Sequence, residues 1–181
     1  MKRAIMLALM MTLLCACGNA GRSEEKFSQF RENVCQAEEM CFTMAVSADL
    51  GDEVFSCRLD CRRTQDSCRV AIVEPEGLQG ITADVRKGTV EYDGVELYVG
   101  ELPDELSPIA CAGQFAHALS DYFVQEVHET DGVLAARCYL DERSDITVFF
   151  DGETMTPLRM EIFRDGERVM DCEIADFVAK Q

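Results

Sequence analysis

Histidine is nearly missing from this 181-residue chain: only His117 and His128 occur. No serine or cysteine motif places a nucleophile near either, and there is no G-x-S-x-G, H-E-x-x-H or glycine-rich phosphate loop. The sequence therefore offers no catalytic triad, zincin helix or phosphate cradle, and both histidines read as surface or rim residues. Basic residues are also scarce, with 17 Lys and Arg against 34 Asp and Glu and a net charge of −17. Such a field repels phosphate backbones and anionic headgroups, which excludes nucleic acid and headgroup docking. Acid pairs such as Asp141-Glu142, Glu38-Glu39 and Asp52-Glu53 fall at turns or element ends and read as solvated charge. After the first 14 residues no apolar stretch approaches membrane-spanning length.

Those first residues carry an address. Lys2 and Arg3 precede an apolar run from Ala4 to Leu14, too short to span a bilayer and built like a secretory signal. The run closes on Leu14-Cys15-Ala16-Cys17. Ala16 before Cys17, with Leu14 two residues further back, resembles the lipobox of bacterial lipoproteins. In that family the cysteine takes a diacylglyceryl group and becomes the first mature residue. Cys15 fits worse, because Leu14 would then stand where a small residue is needed for cleavage. The alternative is an ordinary signal peptide with two chance cysteines. Residues 1–16 are thus expected to be a signal peptide, Cys17 the lipidated residue and 17–23 a small-residue tether. Losing Lys2 and Arg3 takes the net charge from −17 to −19. Two acyl chains, at about 0.8 kcal/mol per buried methylene, suffice for durable anchoring at the extracytoplasmic face of the membrane. No cofactor is expected beyond that covalent lipid.

Eight further cysteines stand at 35, 41, 57, 61, 68, 111, 138 and 172. An even count in an exported chain suggests disulfides, yet several are in phase with core aliphatics. Cys57 shares strand parity with Phe55 and Leu59, Cys138 with Leu134 and Leu140, and Cys172 with Met170 and Ile174. These read as small buried hydrophobes. The pair to test as a disulfide is Cys61 and Cys68, which flank a turn at Thr64-Gln65 and would face each other across a hairpin. Zinc spacing is not met.

Periodicity gives the architecture. Phe27, Phe30, Val34 and Ala37 recur at helical spacing after Ser23, predicting a helix over 24–38 capped by that serine. From Glu39 the period becomes two. Phe42/Met44/Val46, Phe55/Cys57/Leu59, Cys68/Val70/Ile72, Ile81/Ala83/Val85, Ile146/Val148/Phe150, Leu158/Met160/Ile162 and Met170/Cys172/Ile174 alternate with polar or small residues. Four Asp-Gly pairs, at 93, 131, 151 and 165, signal tight hairpins. The segment 74–80 reads as a sharp corner. One helix interrupts the strands: Ser107-Pro108 starts it, and Ile109, Ala112, Phe115, Ala116, Leu119 and Phe123 form its stripe.

About ten or eleven antiparallel strands at ~4.8 Å make a sheet near 48 Å wide, whereas a helix is roughly 10–12 Å across. A flat sheet would leave its apolar face uncovered, so it must curl around the helices. The expected fold is α+β, a half-barrel wrapped around a central helix, occupying 24–181 as one domain. Its concavity would be lined by Phe115, Leu119, Phe123, Met44, Leu59 and Val70, ready for an acyl chain, a lipid or a partner's apolar segment. Alternatively the helix side chains fill the space and the protein acts through its outer surface.

The segments VEPEGLQGITADV, EYDGVELYVG, LSPIA and DGERVMDCEIADF, over 27–178, resemble small Firmicutes lipoproteins with the LolA/LolB-like half-barrel fold, including germination lipoproteins of the GerS type. That resemblance implies a non-enzymatic envelope protein that binds a hydrophobic ligand or an envelope protein such as a spore-cortex amidase. It carries over no binding residues. An envelope enzyme using a thiol of Cys57, Cys61 or Cys68 is the remaining alternative.

Overall fold

The structure is a computed structural model that describes residues 21–49, 51, 53–100 and 107–181. The expected signal peptide, Cys17 and most of the tether lie outside the described residues. Helix α1 occupies residues 21–36. Eleven strands follow: β1 (Glu39–Asp49), β2 (Val54–Thr64), β3 (Cys68–Glu74), β4 (Thr82–Asp84), β5 (Thr89–Tyr92) and β6 (Val95–Tyr98) before helix α2 (Ala110–Ser120), then β7 (Val124–Thr130), β8 (Val133–Tyr139), β9 (Ser144–Asp151), β10 (Pro157–Arg164) and β11 (Glu167–Lys180).

All eleven strands join one antiparallel sheet in the order β6-β5-β4-β3-β2-β1-β11-β10-β9-β8-β7. The chain starts at the sheet's centre, walks out to β6, crosses by way of α2 to β7, and walks back until β11 pairs with β1. Alternation puts one side chain in two on the inner face, and the register lines those residues up. Cys57, Val46, Cys172, Met160, Val148, Ala136 and Val127 form one buried row across seven strands. The sheet curves around both helices as a half-barrel.

Three of the four Asp-Gly pairs make the expected two-residue turns. In each, both residues have positive φ: 51° and 75° at Asp93-Gly94, 52° and 79° at Asp131-Gly132, 53° and 82° at Asp165-Gly166. Asp151-Gly152 does not. Asp151 ends β9, and its carboxylate accepts hydrogen bonds from the Glu153 and Thr154 amides at 3.1 and 2.7 Å. The chain then reverses at Met155, whose φ is 58°. Gly152 is needed for closeness instead. Its amide donates to the Gly132 carbonyl at 2.7 Å, and a Cβ there would lie 2.8 Å from that oxygen.

Other details depart from the expected pattern. Ser23 is a buried residue inside α1, facing Glu129, and does not cap it. Leu158 points outward, because the β9–β10 register slips between Pro157 and Arg159 and turns Pro157 inward. A slip between β1 and β11, where Asp176 adopts φ 53°, inverts the parity of the last strand. Phe177 thereby reaches the helices, within 6.0 Å of Phe30 and 6.3 Å of Phe115. The corner at 74–80 contains a cis Glu74-Pro75 bond and a short 3-10 turn, Glu76–Leu78.

Gly152→Ala forces backbone to move at the β7–β8 and β9–β10 junction. It is expected to lower unfolding free energy in urea by about 1–3 kcal/mol, as overpacking does.

Candidate functional site

The trough of the half-barrel is the first place to look for a site. Helix α2 begins at Ala110 with Ile109 as its N-cap, two residues later than the Ser107-Pro108 start expected, although the Ser107 hydroxyl still accepts the Ala110 amide at 3.4 Å. Phe115 meets Phe42 of β1 edge-on at 4.9 Å, and Leu119 is buried in the same core cluster. Phe27 and Phe30 of α1 pack on Phe150 at 5.5 and 5.1 Å. Met44, Leu59, Phe115 and Leu119 are 0% exposed, and Val70 is buried with them. Side chains without accessible surface touch neither solvent nor any void that a water could enter. These five expected lining residues are brought together, but as packed core.

Phe123 is not among them. It is 74% exposed. The helix stops at Ser120, where the Asp121 and Tyr122 amides both donate to the His117 carbonyl at 2.7 and 3.0 Å and turn the chain away. The i, i+4 stripe therefore ends at Leu119, and Phe123 lies on the path to β7.

The cysteines behave as buried hydrophobes more than as reactive groups. All eight described thiols are free. Cys57, Cys61, Cys68, Cys111, Cys138 and Cys172 are buried, and Cys35 is exposed. Cys61 stands opposite Val70 and Cys68 opposite Arg63, so the two thiols are diagonal neighbours on one face and not a facing pair. The loop at 65–67, closed by the Thr64 amide on the Ser67 carbonyl, sets that register. Burial pushes Cys57, Cys68 and Cys138 up to about 11. It raises Cys61 and Cys111 well above the usual thiol range as well. Thiols held protonated are poor nucleophiles. Among the described residues no group of three or more His, Cys, Asp or Glu is placed to hold a metal.

Both histidines lie at the surface. His117 Nδ1 contacts Asp121 at 2.8 Å, one helical turn on. Burial raises the Asp121 carboxyl, but its hydrogen bonds to His117 and Ser120 outweigh this and leave it below the usual range. His128 is exposed on β7 beside Glu126.

The two edges of the sheet differ. Along β7 the exposed residues are polar (Gln125, Glu126, His128, Glu129, Thr130), and α1 lies alongside, with Lys26 Nζ 2.8 Å from Glu129. Along the β5–β6 hairpin Tyr92, Val95, Leu97, Tyr98 and Val99 are exposed. Sequence periodicity saw the hairpin but not that its apolar face outruns the helices.

No protein-family model and no curated protein matches the chain. By backbone it is similar to a DUF1329 family protein from Desulfovibrio piger, with a TM-score of 0.50 and 9% identity over 89% of this chain and 93% of that one. It is similar too to a LolA superfamily protein from Nitrosomonas europaea (TM-score 0.41, 10% identity, 88% and 94% covered). A third likeness is to the lipoprotein LppX of Mycobacterium tuberculosis (TM-score 0.42, 11% identity, 83% and 91% covered). Identities this low speak for fold alone. The fold itself is a half-barrel, an open curved antiparallel sheet around its helices, shared with the DUF1329 family protein; the likenesses do not extend to the narrower GerS-type group.

Two outcomes follow from the packing. Phe115→Ala should cost about 3–5 kcal/mol in urea unfolding, while Phe123→Ala should stay within roughly 0.5 kcal/mol of the parent. Folded thiols at about 11 against an ordinary 9.0 keep protons that the unfolded chain releases between those values. Their contribution is whole below pH 9 and lost as pH rises toward 11. Melting temperature should fall over that interval, and less so in Cys57→Ala.

Proposed function

We propose that the mature protein is a non-enzymatic lipoprotein of the cell envelope, anchored by a diacylglyceryl group on Cys17. There it binds another envelope protein through the outer surface and edges of the half-barrel. The filled trough carries this reading: Phe115, Leu119, Met44, Leu59 and Val70 leave no accessible surface for a ligand. The Cys61 and Cys111 thiols, held protonated by burial, and the surface histidines support a binding role over catalysis. An envelope amidase of the kind implied by the germination-lipoprotein resemblance is one such partner.

One observation favours a second reading, an acyl or lipid ligand. Helix α2 buries mostly small residues, Ala110, Cys111, Ala112, Gly113, Ala116 and Ala118, around only two large ones. Displacing it would uncover the apolar trough.

The two readings part in one experiment. Photo-crosslinkers at the outer-face positions Arg58 and Glu173, expressed in native membranes, should trap one discrete envelope protein. Mass spectrometry of the detergent-free chain should find no lipid besides the anchor. A non-covalent acyl ligand at one per chain, with no crosslink, overturns the proposal. Cys17→Ser should abolish palmitate labelling and release the chain to the soluble fraction; retained labelling would refute the anchor.

A further inference from the structure

The exposed hairpin edge permits a more specific inference, which rests on the partner-binding reading. The Asp93-Gly94 turn closes on Tyr92 and Val95, and Leu97 stands opposite Val90. The Val99 amide donates to the Gly88 carbonyl at 2.8 Å. Antiparallel pairing alternates, so Val95, Leu97 and Val99 direct their backbone groups at β5, and Glu96 and Tyr98 direct theirs outward. Among the described residues nothing pairs with that outer side, because β6 ends the sheet.

Side chains make this edge unusual. Val70, Ala83, Val90 and Leu97 are register neighbours on the inner face. Val70 and Ala83 are buried, Val90 is half-buried and Leu97 is 60% exposed. The core's apolar row thus runs out into solvent, flanked by exposed Val95 and Val99 on the same face. Natural sheets blunt a free edge with charge or cover it, as polar β7 and the neighbouring α1 do here. The β6 edge has apolar side chains on its inner face instead.

Charge states what kind of strand would fit. On the outer face Glu96 stands directly opposite Glu91, a like-charge pair that destabilises a ladder. Glu91 is met by Arg69 at 3.3 Å, and Asp93 adds a further carboxylate at the turn. A cation beside Glu96 would relieve the repulsion.

We propose that the outer edge of β6 is a docking strand for an extended segment of a partner protein that alternates apolar and basic residues. The segment would pair its backbone with Glu96 and Tyr98. It would lay its apolar side chains beside Val95, Leu97 and Val99, and its lysines or arginines beside Glu96. This is strand addition, in which backbone bonds supply affinity and alternate side chains supply choice. The charge of −19 on each mature chain works against a second copy as the occupant.

The full chain carrying Cys17→Ser can be tested with two synthetic peptides, acetyl-(Val-Lys)3-amide and acetyl-(Val-Glu)3-amide. Amide hydrogen exchange is read by NMR. Glu96 and Tyr98 should exchange quickly in the free chain and slow by about tenfold or more with the lysine peptide. They should not slow with the glutamate peptide, and Val127 and Glu129 on β7 should not respond. Glu96→Pro removes an outward amide while leaving the inward ladder intact; the chain should remain folded and lose the effect. Glu96→Lys should transfer the preference to the glutamate peptide. The proposal is overturned by no slowing at saturating peptide, or by equal slowing with both peptides. It is equally overturned by protection already present in a free chain that sedimentation shows to be dimeric. If the outer-face crosslink forms and β6 stays unprotected, the partner reading stands and this site falls.

Discussion

Six phenylalanines hold the half-barrel to its helices. Phe27 and Phe30 of α1 clasp Phe150 of β9; Phe30 also meets Phe177 of β11, which meets Phe115 of α2, which meets Phe42 of β1. Each tilted or edge-on pair adds about 0.5–1.5 kcal/mol beyond its buried area. The chain of rings ties the two central strands and both helices into one unit. Without it, a sheet about 50 Å wide would have an apolar face and little reason to curl. The filling of the trough follows from the same contacts, since the rings that bend the sheet also occupy the space it encloses.

That constraint moves function away from the trough and toward the surface. Burial holds the Cys57, Cys61, Cys68, Cys111 and Cys138 thiols protonated, so they serve packing. The outer face is salted with ion pairs, such as Arg168 between Glu161 and Asp171, which leave it polar and soluble. At the β6 edge the inner apolar face meets water.

Much of this was legible in the chain. Strict alternation marked the strands, because a one-sided sheet leaves a period of two. Three Asp-Gly pairs marked their turns, because both residues must take positive φ. What escaped was non-local. Asp151-Gly152 looks like its three siblings, and only the approach of Gly132 makes it different. Phe123 continues the helical stripe on paper, but α2 ends three residues earlier. Phe177 has the wrong parity until a slip against β1 corrects it. The Cys61 and Cys68 thiols lie on one face as expected, yet a loop at 65–67 displaces their register.

The strand order has a kinetic corollary. β1 and β11 are neighbours at the middle of the sheet, though more than a hundred residues of chain separate them. Emerging from its amino end, the polypeptide can zip β1 through β6 by local hairpins, but the seam at Glu39–Lys180 waits for the final residues. Closing so long a loop is slow. Until then the half-sheet keeps a second raw margin, so such a chain stays pliable until its last strand arrives.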